Sequence, residues 1–352
     1  VTKSIIALFN DESGRGLRVR IVTIYAVLVA ANIGAWVWAL VAFRHHPLLL
    51  GTSLLAYSFG LRHAVDADHI AAIDNVTRRL MADGKRPVSV GFFFSLGHST
   101  IVIIATVVLA LTATAFKAQF DEFKAIGGVL GTIISALFLF VIAGVNVQVL
   151  RSVWRSFQRV KKGGRYAEED IETLLAGGGL LARLLRPLFA MMGRAWHMYP
   201  LGVLFGLGFD TATEVGLLGI SATQATSGMS IWSILVFPAL FTAGMCLIDT
   251  TDGIMMLGTY GWAFLRPIRK LYYNLTITAV SVLVAVVVGG IEALGLIGDQ
   301  LALKGMFWNG IGALNDNFGS VGFIVIGVFA ASWIVSAVIY YVKGYDKIGA
   351  DA

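Results

Sequence analysis

The sequence predicts an all-α integral membrane protein with eight transmembrane helices, and three observations predict it. Of its 352 residues 57% are hydrophobic and 14% charged, a balance outside the range of ordinary soluble domains. Several apolar runs exceed the roughly 18–20 residues that a helix needs to cross the hydrocarbon layer, and they lack the strict alternation of a barrel strand. Finally, the basic residues segregate to alternate loops, as a multi-pass topology requires.

The expected spans are residues 21–43, 48–76, 88–114, 126–150, 199–222, 232–258, 271–294 and 320–343. The first follows a basic segment but is too long for a signal-peptide core and has no convincing cleavage site after it, so it is kept as structure. With the N-terminus inside, only Arg44, Lys117, Lys124 and Lys304 of the 27 Lys and Arg fall in outside loops, and only Arg62 falls in the interior of a span, Lys343 marking the inner end of the last. Both termini are therefore expected in the cytoplasm. The formal charge of +6 reads as an inner surface meeting anionic lipid; no nucleic-acid module gives it another meaning. A single cysteine, Cys246, excludes disulfides within the chain and a thiolate-rich metal cage.

These spans divide the chain into an N-terminal membrane half (1–150, helices 1–4), a basic cytoplasmic loop (151–198) and a C-terminal membrane half (199–352, helices 5–8). The second part of the loop, LLARLLRPLFAMMGRAWHMYP, suits an amphipathic helix on the inner leaflet or a solvated linker equally well. No GxxxxGK[ST] loop occurs, so neither ATP binding nor an ATPase subunit is implied.

A faint internal repeat is more informative. FSLGHSTIVI from Phe94 aligns with FTAGMCLIDT from Phe241, and an acidic motif lies on the helix before each, DADH at Asp66 and DTATE at Asp210. The offset is three helices, an odd number, so helices 1–3 and 4–6 are expected as an inverted repeat, with a substrate site near mid-membrane where the halves meet.

The charges inside the spans point to the chemistry. Asp66, Asp68, Asp74, Asp210, Glu214, Asp249 and Asp252 stand there against one base, Arg62. Each carboxylate near a helix centre costs about 2.5–3.5 kcal/mol on the insertion scale, so a positive species is expected to reside or pass there. By span midpoints His63, His98, Asp210 and Met245 share one depth on four helices. Imidazole plus carboxylate is the ligand set of a borderline divalent metal such as Ni(II), Co(II) or Zn(II), whereas Mg(II) prefers oxygen and Cu(I) sulfur.

On one continuous helix His63, Asp66 and His69 would occupy an arc of about 120°, with Asp74 near the same stripe and Asp68 about 140° from His63. Either Asp68 orients a neighbouring group, the reading favoured here, or the helix is locally unwound. Asp210 and Glu214 are spaced i,i+4 and Asp249 and Asp252 i,i+3, each pair on one face, although Asp252 could equally be structural. Gly60, Gly97, Gly208 and Gly244 precede these motifs and read as close-packing positions, and Pro238 as a kink. His45, His46 and His197 are expected at the interfaces, outside the site.

RHAVDADHIAAIDN, with its H-x4-D-H pattern at His63, Asp68 and His69, resembles the signature of the nickel/cobalt transporter family of high-affinity permeases. SLGHST, LGFDTATE and GMCLIDTTD follow in order. The resemblance covers essentially the whole chain and implies uptake of Ni(II) or Co(II), as transported substrate, across a bacterial cytoplasmic (inner) membrane, with no cofactor. By position it nominates His63, Asp68, His69 and His98 as metal-handling residues. The metal set expected overall is His63, Asp66, Asp68, His69, His98, Asp210, Glu214 and Asp249. Two rival readings are an intramembrane acyltransferase-like enzyme using His63 and Asp68 as an H-x4-D pair, and a divalent metal exporter.

Overall fold

A computed structural model describes residues 12–82, 84–112, 117–161, 193–207, 212–263 and 267–342. Every regular element among the described residues is a helix. The helices are α1 (Glu12–Phe43), α2 (Pro47–His63), α3 (Ala67–Ala82), α4 (Val90–Thr112) and α5 (Lys117–Lys161). After a short 3-10 turn (Ala195–His197) come α6 (Met198–Phe205), α7 (Ala212–Thr226), α8 (Ile231–Ile234), α9 (Val236–Ala263), α10 (Pro267–Gln300), α11 (Met306–Asp316) and α12 (Phe318–Val342).

Among the described residues six stretches are long and apolar enough to cross a membrane: Gly16–Phe43, Val90–Leu111, Gly128–Arg155, Ile231–Thr259, Leu275–Gln300 and Phe318–Tyr340. The other two expected spans, 48–76 and 199–222, are interrupted. α2 stops at His63 and α3 starts at Ala67, so the continuous helix that places His63, Asp66 and His69 on one stripe does not exist, and the unwound alternative is the one found. The interruption keeps its backbone satisfied. Val65 N–H donates to the Arg62 carbonyl at 3.0 Å, Asp66 N–H to that of His63 at 2.9 Å, and Ile70 N–H to that of Asp66 at 3.2 Å. A break at membrane depth is tolerable on those terms when protein covers it. α12 supplies cover: a Cβ added to Gly322 would collide with the Val65 carbonyl.

Proline sets several helix starts. Pro47 opens α2 and Pro267 opens α10, where the missing N–H is one that no intrahelical acceptor needs. Pro238 cannot donate to the Ile234 carbonyl, and the helix is interrupted at Leu235, between α8 and α9. The kink expected from Pro238 thus falls at the start of α9, well before Met245. Gly84 at φ +74° ends α3, with Lys85 N–H donating to the Leu80 carbonyl at 2.9 Å. That left-handed cap is inexpensive only for glycine.

Within lipid, helices gain little from burying apolar area against one another, so close backbone approach does much of the packing. Four glycines provide it. A Cβ on Gly60 of α2 would collide with the Phe241 carbonyl of α9, and one on Gly244 of α9 would lie 3.0 Å from the Tyr57 carbonyl of α2. Likewise a Cβ on Gly97 of α4 would strike the Tyr199 carbonyl of α6, and one on Gly202 of α6 the Phe94 carbonyl of α4. The packing role expected of Gly60, Gly97 and Gly244 is therefore met; Gly208 lies outside the described residues.

α2 packs along α9, α6 along α4, and α4 along α9, while α5 and α10 run together beside them. The main apolar cluster joins both halves of the chain, with Ile70, Phe94, Leu139, Phe205 and Val288 among its members. A second cluster surrounds the stacked rings of Phe43 and Phe237, with Met245 inside it.

Two expectations change at this level. Arg78, assigned by sequence to an inside loop, is on α3 and buried, whereas Arg62, expected within a span, is exposed. Glu292, within the expected span 271–294, is an acid that the seven above leave out; it is buried on α10, both of its oxygens accepting from the Ser135 hydroxyl of α5 at 2.9 Å. The basic run Arg151–Lys161 belongs to α5, and the alternatives weighed for the following loop fall on residues 162–192, outside the described residues.

Candidate metal centre

Both interrupted helices end against the same point. His63 is the last residue of α2 and His69 lies in the first turn of α3, so unwinding of residues 64–66 folds the two imidazoles toward each other. Their ring centroids are 4.6 Å apart. His98, in the middle of α4, brings a third ring 4.7 Å from His63 and 5.0 Å from His69. One nitrogen from each of the three lies within 4.8 Å of the others, and all three side chains are buried. Glu214 enters from the first turn of α7 and Asp249 from the middle of α9.

Each imidazole has its own carboxylate. His63 Nδ1–H donates to Asp66 Oδ2 at 2.9 Å, and His69 Nδ1–H to Asp249 Oδ2 at 3.1 Å. His98 Nε2 meets Glu214 Oε1 at 2.8 Å. An ionised carboxylate only accepts, so the first two bonds fix the tautomers and leave a lone pair on Nε2 of His63 and of His69. This is the arrangement by which proteins orient metal-binding imidazoles. Two hydroxyls complete it: Ser95 Oγ–H donates to Asp249 Oδ2, and Thr213 Oγ1 lies 3.2 Å from His63 Nδ1.

The ring nitrogens converge. His63 Nε2 and His98 Nε2 are 2.9 Å apart, a contact that holds only while a proton lies between them. Among the described residues His69 Nε2, His98 Nδ1 and Asp249 Oδ1 are buried with no hydrogen-bond partner. Each such atom costs about 1–3 kcal/mol. Ligand nitrogens around a first-row ion stand about 3 Å apart, given metal–nitrogen bonds of about 2.0–2.1 Å. The His63–His98 pair already has that spacing, and a small shift of His69 closes the set. The half-helix ends help, since the C-termini of α2 and α6 turn partial negative charge toward the centre. α6 does so against α4, where a Cβ on Gly206 would lie 2.7 Å from the His98 carbonyl.

Of the residues expected from sequence, His63, Asp66, His69, His98, Glu214 and Asp249 are brought together. Asp68 is half-buried on the first turn of α3, beside His69 and close enough to act on the charge of His63. Asp210 falls in 208–211, outside the described residues. Met245 packs among Phe237 and Phe241. His45 and His46 are exposed in the turn after α1, His197 sits edge-on to Trp196, and none of the three belongs to the cluster. Ser95 and Thr213 are the additions that sequence reasoning does not make. Their only signal is adjacency, within SLGHST and DTATE.

Comparison with known proteins agrees with this chemistry. Residues 49–339 match the family model NicO, high-affinity nickel-transport protein. The chain is 60% identical to the high-affinity nickel transport protein of Cupriavidus necator, over 96% of this chain and 95% of the relative. It is 45% identical to the nickel transporter NicT of Mycobacterium tuberculosis, over 92% and 89% of the two chains. Identity to the cobalt transport protein NhlF of Rhodococcus rhodochrous is 39%, over 84% of each. No solved structure matches. With the family pattern spanning most of its length and three buried imidazoles at the point where its broken helices meet, the chain belongs to the NicO family of high-affinity nickel-transport proteins.

Proposed function

We propose that the protein is a secondary transporter that imports Ni(II) or Co(II) across the cytoplasmic membrane, both termini on the cytoplasmic side. The observation that carries this is the buried triad of His63, His69 and His98, each imidazole with its own carboxylate. The ion sheds water and is taken by the three imidazoles, with Glu214 the nearest carboxylate to join them. Asp66 and Asp249 hold His63 and His69 in place, and Asp68 and Asp210 add negative charge around the site. The names of the relatives, one a cobalt transport protein, support this substrate pair.

Eight crossings follow if α2–α3 and α6–α7 each count as one discontinuous span. The reciprocal glycine contacts support an inverted repeat. Tyr57-x-x-Gly60 on α2 meets Phe241 and Gly244 on α9, as Tyr199-x-x-Gly202 on α6 meets Phe94 and Gly97 on α4. Phe94 and Gly97 are the residues that align with Phe241 and Gly244 in sequence. Rocking of one repeat against the other then exposes the centre to each side in turn. An inside-negative potential suffices as the driving force, since a dication gains about 4.6 kcal/mol per 100 mV, roughly a two-thousandfold accumulation.

The enzyme reading gains nothing from the geometry. A histidine base must reach an acceptor hydroxyl, whereas His63 is buried with its nitrogens facing Asp66 and His98. The test is accumulation of labelled nickel by cells at trace concentration. His63→Ala and His69→Ala variants that reach the membrane should import only at background, and normal import by either overturns the assignment. Competition by cobalt, zinc and manganese then ranks the substrates.

A further inference from the structure

The polar face of α9 does not stop at the histidine centre. Asp252 follows Asp249 by about one helical turn, and Gly253 next to it packs on α3. A Cβ on Gly253 would lie 3.5 Å from Ile73 Cγ2 and 3.9 Å from Thr77 Oγ1. Along this α3–α9 seam Asp249 Oδ1, Asp252 Oδ2 and Thr77 Oγ1 are buried, and none has a hydrogen-bond partner among the described residues. Asp249 and Thr77 are 0% exposed. Three buried oxygens left open in one seam destabilise the fold unless something electropositive occupies the gap.

The surroundings specify the occupant. Asp74, one turn before Thr77, lies within electrostatic reach of Asp252 but is itself held by the Ser281 hydroxyl at 2.8 Å. The seam is therefore acidic, and the nearest buried cation, Arg78, donates to Thr278 and Asn75 instead. Asp252 also borders a largely apolar cavity of about 290 Å³ shared with Met256, Phe329 and Trp333, so no protein base fills the space beside it.

We propose that Asp252 and Thr77, with the open Oδ1 of Asp249, form a second, oxygen-only site for a divalent cation, about one helical turn beyond the histidine centre. The direction of travel rests on the import reading given above; the site itself does not. A borderline metal prefers imidazole to oxygen, so this site holds Ni(II) or Co(II) more weakly than the triad and accepts harder ions such as Mn(II) more readily. A tight site followed by a loose one solves a transporter's release problem, because an ion held at one deep site leaves slowly. Asp249 would then join the two sites, Oδ2 on His69 and the open Oδ1 given to the second ion.

The test uses purified full-length protein in detergent, with equilibrium dialysis of nickel and electron paramagnetic resonance of Mn(II). Wild type should bind two nickel ions per chain, the second at least tenfold more weakly. A His63→Ala/His98→Ala variant should lose the tight site and keep the weak one, which Mn(II) also fills. Asp252→Asn should abolish Mn(II) binding, leave the tight nickel site within twofold, and lower the maximal uptake rate at least tenfold with little change in KM. Thr77→Val, which removes one neutral oxygen, should weaken Mn(II) binding severalfold. A single nickel per chain in wild type overturns the second site, as does Mn(II) binding that survives Asp252→Asn or Thr77→Val unchanged. If the tight site instead survives the histidine substitutions while Asp252→Asn removes Mn(II), the triad reading fails and the oxygen site stands.

Discussion

The histidine centre and the polar layer between α3, α5 and α10 bury the same kinds of residue in one bundle, and they differ in what their polar atoms do. In the layer, the Arg78 guanidinium donates to Thr278 Oγ1 at 2.8 Å and to Asn75 Oδ1 at 3.1 Å. Asn146 donates to the same Asn75 oxygen at 2.6 Å, Asn75 donates to the Ala71 carbonyl, and Ser281 to Asp74. Apart from Arg78 Nε, the donors named here meet acceptors within the chain. In the centre, by contrast, acceptors and lone pairs outnumber donors, and His69 Nε2, His98 Nδ1 and Asp249 Oδ1 face none. Burial of charge alone does not mark function; a surplus of one polarity that the chain itself leaves uncompensated does.

The sharpest way to break this contrast is to exchange the phenotypes. His69→Ala removes an imidazole whose outer nitrogen has no partner, so it should lower nickel affinity at least a hundredfold, read by dialysis. The metal-free protein should also lose stability, because the substitution leaves a cavity and takes a donor from Asp249 Oδ2. A folded variant that binds nickel with unchanged affinity would make the centre a structural network like the layer.

Next in size is the packing that brings the broken helices together. Gly60→Ala would press a methyl group into the Phe241 carbonyl, and Gly97→Ala into that of Tyr199. Overpacking of this kind costs about 1–3 kcal/mol. Because the two contacts occupy equivalent positions in the proposed repeat, the two variants should lower thermal stability by similar amounts; a loss confined to one of them would break the equivalence.

Within the layer, Arg78→Met should leave nickel affinity unchanged and reduce stability by about 1.5–3 kcal/mol, the worth of hydrogen bonds to a charged group. Denaturation of the purified protein measures the second quantity and dialysis the first. A lowered affinity with intact stability would move Arg78 into the site.

This division explains how much was legible in the sequence. The uninterrupted spans could be placed from hydropathy because lipid imposes a composition on every turn they expose. The interruption at residues 64–66 was not legible by helical wheel, which presumes the continuity it tests. The clue was RHAVDADH, too charged to sit in a continuous helix facing lipid, and its unwinding is what turns His63 toward His69. The three histidines and the acids Asp66, Glu214 and Asp249 were all in the expected metal set, but which carboxylate meets which imidazole was not legible. Asp249 is 180 residues from His69 and Glu214 is 116 from His98, so pairing depends on which helices cross, information that no local pattern carries. Arg78 was misplaced because a basic residue at a span end reads as a loop anchor, and its partners Thr278 and Asn146 come from distant helices.

The smallest expected effect tests how far the centre extends into its surroundings. Ser95 Oγ–H donates to the Asp249 oxygen that accepts from His69, so Ser95 acts on the ion only through two intermediaries. Ser95→Ala removes one net hydrogen bond, about 0.5–1.5 kcal/mol, and should weaken nickel binding roughly two- to twelvefold. Ser95→Thr keeps the hydroxyl and should restore affinity if the added methyl is accommodated. The proton count adds a readout that mere packing would not move. The His63–His98 contact contains one proton, which leaves Nε2 when the metal takes that nitrogen and passes either to the open Nδ1 of His98 or to solvent; the protons released per nickel in weak buffer, none or one from this contact, tell which. Ser95→Ala should release the same number, since Ser95 touches neither of those nitrogens. A changed proton count would mean that Asp249 itself exchanges a proton when the ion arrives, and Ser95 would then govern the protonation of the centre as well as its geometry.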